Sequence, residues 1–500
     1  SNETCHFDAF VLLYGIQNKV LLASSLVHSP PLRTSAVYAS EVKMLMHMSL
    51  VVGFVVAIAA ATAEQERETC SGLVPVRHRD RSVSITDFGG VGDGTTVNTK
   101  AFRNAIFRCR QLSRSGGTTL YIPPGVFLTG SFNLSSHMTL YLARGAVIRA
   151  IQDTKTWPLI SPLPSYGRGR EHPGSRYISL IHGNGLRDVV ITGDNGTIDG
   201  QGEIWWNMWR QGTLQFTRPH LIELVNSKNI LISNLTFINS PFWNIHPVYC
   251  NKVVIRFVTV VAPANSPNTD GIDPDSSSNV CIEDSYISTG DDLVAVKSGW
   301  DEYGIAYSKP STNITIRRIT GSSPFAGIAI GSETSGGVEN ILAESINLDN
   351  MGVGIHVKTN IGRGGFIRNI TISGVNIGRA RQGVKIAGNV GDHPDSNYNP
   401  DALPLVEIIT LKDLRGEVLH QPGLLHGLKG APFTGICLNN ISFTINGVPD
   451  RPLKPWSCSD VAGVAVKVSP WNGCTDLISS SPTSSCHVEQ CKGISGSIYF

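Results

Sequence analysis

A short pattern, most often Asn or Asp followed by alternating aliphatics, recurs along this chain and limits its possible folds more than any other feature. It reads DVVIT at Asp188, NILIS at Asn229, KVVIR at Lys252, NVCIE at Asn279, NITIR at Asn313, NILAE at Asn340 and NITIS at Asn369. From Asn229 onward the copies lie roughly 23 to 34 residues apart, a period that belongs to solenoids. Each copy has the period-two alternation of a strand and is too short for a helix. A second strand follows most copies: DGIDP at Asp270, LVAVK at Leu293, GIAIG at Gly327, GIHVK at Gly354 and GVKIA at Gly383. Two or more short strands per coil, with turns rich in Gly, Asn and Ser, predict an all-β, right-handed parallel β-helix with coils about 4.8 Å apart. A β-sandwich is the weaker alternative, because two-residue hairpin signals are scarce. An open coil would expose unpaired strand edges. The helical spacing of apolar residues from Thr99 to Ser113 therefore predicts an N-terminal capping helix.

Both ends of the chain carry different signals. Residues 49–61 form an apolar run preceded by Lys43 and ending in Ala61-Thr62-Ala63, which reads as a signal peptide over residues 44–63. Residues 1–43 lack an initiating Met and any periodicity, and read as an upstream extension foreign to the fold. The solenoid domain is then expected over residues 64–450, with a Cys-rich tail over 451–500 stapled by Cys458, Cys474, Cys486 and Cys491. Secretion to the extracellular space or cell wall, with no membrane attachment after cleavage, fits the six sequons that follow the cleavage site, at Asn133, Asn195, Asn234, Asn313, Asn369 and Asn440. Several of these lie in strand-like runs, where burial would block modification. The nine cysteines that follow the cleavage site leave at least one thiol unpaired. Net charge is +2 and no basic run interleaves with aromatics, which argues against nucleic acid as a partner. The run GGVGDG lacks the Lys-Ser/Thr ending of a phosphate loop.

Two acidic clusters stand out against this background: NTDGIDPD from Asn268 to Asp275, and TGDD from Thr289 to Asp292. Asp270 and Asp291 are 21 residues apart, so one coil would set Asp291 and Asp292 almost over Asp270. Three carboxylates on one exposed face suit acid/base hydrolysis of a sugar bond. Their mutual repulsion would keep one protonated while its neighbours ionise. Turn formation is the competing reading of these residues. A calcium site from Asp270, Asp273 and Asp275 lacks the spacing of a calcium loop.

The opening FGGVGDGTTVNTKAF, the NTDGID and GDD motifs and GSETSGGVEN at Gly331 together resemble glycoside hydrolase family 28. DGQGEIWW at Asp199, SPFWNIHPVYC at Ser240 and KTNIGRGGFIRNI at Lys358 are similar to its plant polygalacturonase-like members. The resemblance runs from about Ile85 to about Ile445 and implies a pectin lyase-like β-helix. It further implies inverting hydrolysis of α-1,4-galacturonosyl bonds in polygalacturonan, by a monomer, without metal or cofactor. Asp291 would be the general acid, and Asp270 and Asp292 would activate water. The family's Arg-Ile-Lys motif aligns with His356-Val357-Lys358, and its Gly-His-Gly motif with Phe325-Ala326-Gly327. Lys358 is expected to pair with a substrate carboxylate, with His356 assisting if charged at acidic pH. His246 and Lys297, in line with the aspartates, complete the expected substrate-binding set, with structural or surface roles as alternatives. Trp205, Trp206 and Trp209 are expected to pack under a loop. Arg168, Arg170 and Arg176 would form either a cationic rim or a solvated loop. Three other functions compete: an eliminase on the same fold, a pectin-binding wall protein with weakened turnover, and a hydrolase of another pectic backbone such as rhamnogalacturonan.

Overall fold

The structure is a computed structural model that describes residues 70, 72–75, 78–113, 116–447 and 453–479. The expected upstream extension, the signal peptide and Cys486 and Cys491 lie outside the described residues. Among the described residues all pairs of strands run parallel except one, in which Leu159–Ile160 meets Arg176–Tyr177 antiparallel. Strands stack coil upon coil as the repeat predicts, and parallel crossovers of this kind are right-handed. One inward file reads Ile230, Val253, Val280, Ile314, Ile341, Ile370, Ile409 and Ile436, each in register with the next. Every member is buried, and each side chain so buried contributes about 1.5–3 kcal/mol relative to exposure.

The first residue of each repeat has a backbone reason. Asp188, Asn229, Lys252, Asn279, Asn313, Asn340 and Asn369 all sit at φ between 54° and 58°, turning the chain at one corner of the coil. Asn and Asp tolerate this left-handed conformation better than other residues with a Cβ. The corner amides also bond from coil to coil. Asn313 donates to Asn279 at 3.4 Å, Asn340 to Asn313 at 3.3 Å and Asn369 to Asn340 at 2.6 Å. Sequon asparagines prove more accessible than their strand-like context suggests. Asn133, Asn195, Asn234, Asn313 and Asn440 are exposed, and only Asn369 is half-buried.

Helix α1 (Thr99–Leu112) covers the N-terminal end, burying Ala101, Phe102, Ala105, Ile106 and Cys109. Phe102 stacks on Phe132 with ring centroids 4.4 Å apart. At the other end the coils continue past the boundary expected at residue 450. Ser457–Ser459 pairs with Leu424–His426, Val461–Ser469 pairs in parallel with the strand Phe433–Ile445, and Leu477–Ser479 pairs with Gly463–Ala465. Described residues beyond 450 are therefore solenoid rather than tail. VAGVAVKVS carries the same alternation as the earlier repeats, and the density of cysteines drew attention away from it. Cys458 bonds to Cys474 within this region, and Cys70 to Cys281 across 211 residues. Cys109 and Cys250 are unpaired and buried. Burial pushes both thiols up to about 12, which makes them poor nucleophiles.

Candidate active site

The ladder brings the two acidic motifs together. Gly271 N–H donates to the Asp292 carbonyl at 2.9 Å, and Ile272 bridges to Val294, so Asp270 and Asp292 occupy matching positions on successive coils. Gly290 N–H donates to Thr269 Oγ1 at 3.0 Å, which joins the motifs a second time. A Cβ on Gly290 would lie 2.1 Å from the Ser266 carbonyl oxygen, so this close approach requires glycine. Carboxylate oxygens of Asp270, Asp291 and Asp292 come within 4.8 Å of one another. Asp270 and Asp292 are buried, and Asp291 is half-exposed.

Their surroundings divide the three carboxyls. Burial and the neighbouring Asp270 and Asp292 push Asp291 well above the usual carboxylate range. Burial also works to raise Asp292, but the Lys358 ammonium outweighs it and holds this carboxyl below its ordinary value. Lys358 Nζ donates to Asp292 Oδ2, and Ala326 N–H donates to Oδ1 at 2.9 Å. Asp270 is shifted upward by burial and by Asp292, against the opposing Lys297. The cluster thus offers one proton donor and one ionised acceptor, the division that acid/base chemistry uses.

The expected substrate ligands fare differently. Lys358 stands among the aspartates, as its register suggested. Lys297 is buried beneath them, 3.2 Å from Glu333, 3.7 Å from Asp270 and 3.8 Å from Asp273. It is an internal counter-ion, and neither the substrate-ligand nor the surface reading describes it. His246 is fully buried, 3.1 Å from Glu223 and 3.4 Å from Asp275, which answers to its structural reading. His356 faces the site, but burial and the Lys358 charge push it down to about 3, so the expected positive charge at acidic pH is absent. Ala326 is buried beside Asp292. The two positions where the resemblance expects a histidine and an arginine therefore carry no cation. Trp205 and Trp206 are buried in helix α2 (Glu203–Arg210), whereas Trp209 on the same helix is exposed rather than packed as expected.

The arginine-rich loop is neither a cationic rim nor a solvated loop. Arg176 is buried against Glu223 at 2.7 Å, while Arg170 reaches both Glu333 and Asp392. Glu333 and Asp273 are site residues that sequence reasoning gave no catalytic part. Glu333 lies inside GSETSGGVEN, yet nothing in the strand alternation marks it as the partner of Lys297. Asp273 is buried with neither carboxylate oxygen hydrogen-bonded, and burial and Asp270 push it well above its usual range.

Known proteins resemble this chain in sequence and in fold. A sequence model of the glycosyl hydrolases family 28 matches residues 167–469. A probable polygalacturonase of Vitis vinifera is 50% identical over 412 residues, spanning 82% of this chain and 83% of the relative. An endo-polygalacturonase of Pectobacterium carotovorum subsp. carotovorum is 31% identical over 301 residues, 57% of this chain and 69% of its own length. Among solved structures, a hyperthermoactive exopolygalacturonase from Thermotoga maritima is 29% identical. It superposes with a TM-score of 0.65 over 76% of this chain and 92% of that one.

Proposed function

The chain belongs to the glycosyl hydrolases family 28, and from that premise we propose that it is a pectin-degrading polygalacturonase that hydrolyses α-1,4 bonds between galacturonosyl units. The split protonation of the aspartate cluster carries the mechanism. Asp291, held protonated, gives its proton to the glycosidic oxygen as the bond from that oxygen to the anomeric carbon breaks. Asp292, held ionised by Lys358, takes a proton from water together with Asp270, and the water oxygen bonds to the anomeric carbon. The products are a new reducing end and a freed hydroxyl, so atoms and charge balance without a further reactant.

The 4.8 Å approach of the carboxylate oxygens is tighter than the roughly 6.5–9.5 Å gap usual for two-carboxylate inverting enzymes. Inversion therefore rests on the family resemblance, and the anomeric form of the first product, read by NMR, decides it. Two disulfides among the described residues fit an oxidising, extracellular setting. No helix among the described residues is long and apolar enough to cross a membrane.

Reducing-end release from polygalacturonan at about pH 5, with chelator present, is the direct test. Asp291→Asn should lower it by about 10²–10⁴-fold, the usual contribution of a general acid. Cleavage of rhamnogalacturonan in preference to polygalacturonan would favour a second reading, a hydrolase of another pectic backbone. The uncharged Ala326 and His356 are the observation behind that reading. Binding of polygalacturonan without turnover of any pectic polymer would replace both with a wall-binding role.

A further inference from the structure

We propose that this enzyme attacks its polymer from a chain end, because a strap held down on the stacked strands covers the outward face on one flank of the catalytic aspartates; the proposal rests on the polygalacturonase reading above. Outward-facing side chains on the stacked strands form a file that passes through the site. Glu223 is in register with His246, Ala295 with Ala329, Ala329 with His356, and His356 with Lys385. A polymer laid along this stack over Asp291 would cross the whole file.

The two flanks of the aspartates differ. Toward the later coils His356, Lys358 and Lys385 are only partly buried, the Lys358 side chain being 15% exposed, and Phe325 is 51% exposed. Toward the earlier coils the outward positions are closed: Glu223, His246, Asp273 and Asp275 are each 0% exposed. Large polar side chains facing outward, unlike the small Ala295 and Ala329 that are also 0% exposed, are buried only when something lies on them.

What lies there is the loop between the antiparallel pair Leu159–Ile160 and Arg176–Tyr177. Its Tyr166 hydroxyl donates to Asp275 at 2.5 Å, and Leu163 and Tyr166 pack on Val225 and Val248. Gly167 fits flat against Tyr303 of helix α3 (Asp301–Tyr307), where a Cβ would lie 2.1 Å from the ring. A segment from the later coils then fastens the loop. Arg170 pairs with Asp392 at 2.8 Å, Arg168 donates to the Pro394 carbonyl, and Trp300 Nε1 donates to the Asp392 carbonyl at 2.9 Å. Arg170 also bonds Glu333 at 2.9 Å, and Glu333 holds Lys297, the counter-ion of Asp270. The closure is therefore linked to the catalytic cluster through Glu333 and Lys297. Sugars continuing past the aspartates on this flank would meet the strap, so only the terminal few units of a chain fit.

The wild-type protein tests this with polygalacturonan and with oligogalacturonides labelled at the reducing end. Expected are a single short product size from the first turnovers, a viscosity that falls slowly for each bond cut, and label that segregates wholly with the short or wholly with the long fragment. Mixed fragment lengths at the outset, with a steep fall in viscosity and label spread over all sizes, would overturn the proposal. Failure to release any reducing ends would instead sink the polygalacturonase reading, and this one with it. In the double variant Arg168→Ala/Asp392→Ala, the loss of viscosity for each bond cut should rise several-fold. Unchanged products from a folded double variant would show that the strap does not set the mode of attack.

Discussion

Lys358 is the residue on which the protonation pattern turns. It lowers Asp292, which must be ionised to activate water, and it also acts to lower Asp291, which must stay protonated. In Lys358→Met the carboxyl of Asp292 titrates at higher pH, so the acidic limb of kcat/KM moves upward. Asp291 rises further as well, so the alkaline limb moves the same way. The expected result is a pH profile displaced toward alkaline values at reduced activity. An acidic limb that stays in place would separate Lys358 from the control of Asp292. The three aspartates were legible in the sequence because both motifs are local and the coil period stacks them. Lys297 was not, since a lysine beside the aspartates reads as a substrate ligand or a surface charge until the loop that buries it is seen. The neutrality of His356 was equally hidden, because it depends on burial and on a lysine two positions along the same strand.

At the level of the element, the corner of each coil selects its residue by backbone angle. The column that runs through Asn340 and Asn369 continues to Ile408, at φ 55°, and then reaches Gly435 at φ 64°. Ile408 is a β-branched residue held where Asn or Gly is preferred, a strain of about 1–2 kcal/mol. It is only half-buried, so little packing is lost on replacement. Ile408→Asn should raise stability by about 1 kcal/mol, read as a higher midpoint of guanidinium unfolding with an unchanged slope. An unchanged or lower midpoint would mean that packing at Ile408 outweighs its strain. The strand repeat was readable because alternation and period are properties of neighbouring residues. The C-terminal limit was not, since four cysteines in a short stretch resembled a stapled tail and masked the alternation in VAGVAVKVS.

Across the whole solenoid, the Cys70–Cys281 bond closes a loop of 211 residues and fastens Leu73 and Val74 against the outer face at Val190, Leu231 and Val254. Removing it with Cys70→Ala/Cys281→Ala should lower stability by about 2–4 kcal/mol. A calorimetric Tm equal to that of the wild type would assign the bond no stabilising part. Neither this pairing nor the strap was legible beforehand, because both join segments far apart in sequence whose meeting is set by the number of intervening coils. Asp270 and Asp292, by contrast, take their separation from main-chain hydrogen bonds between adjacent rungs rather than from side-chain packing. Drift in the core can therefore erode stability while leaving the distance between the two water-activating carboxylates untouched. Over evolutionary time that distance is inherited with the backbone, and it would change abruptly, by gain or loss of a whole rung.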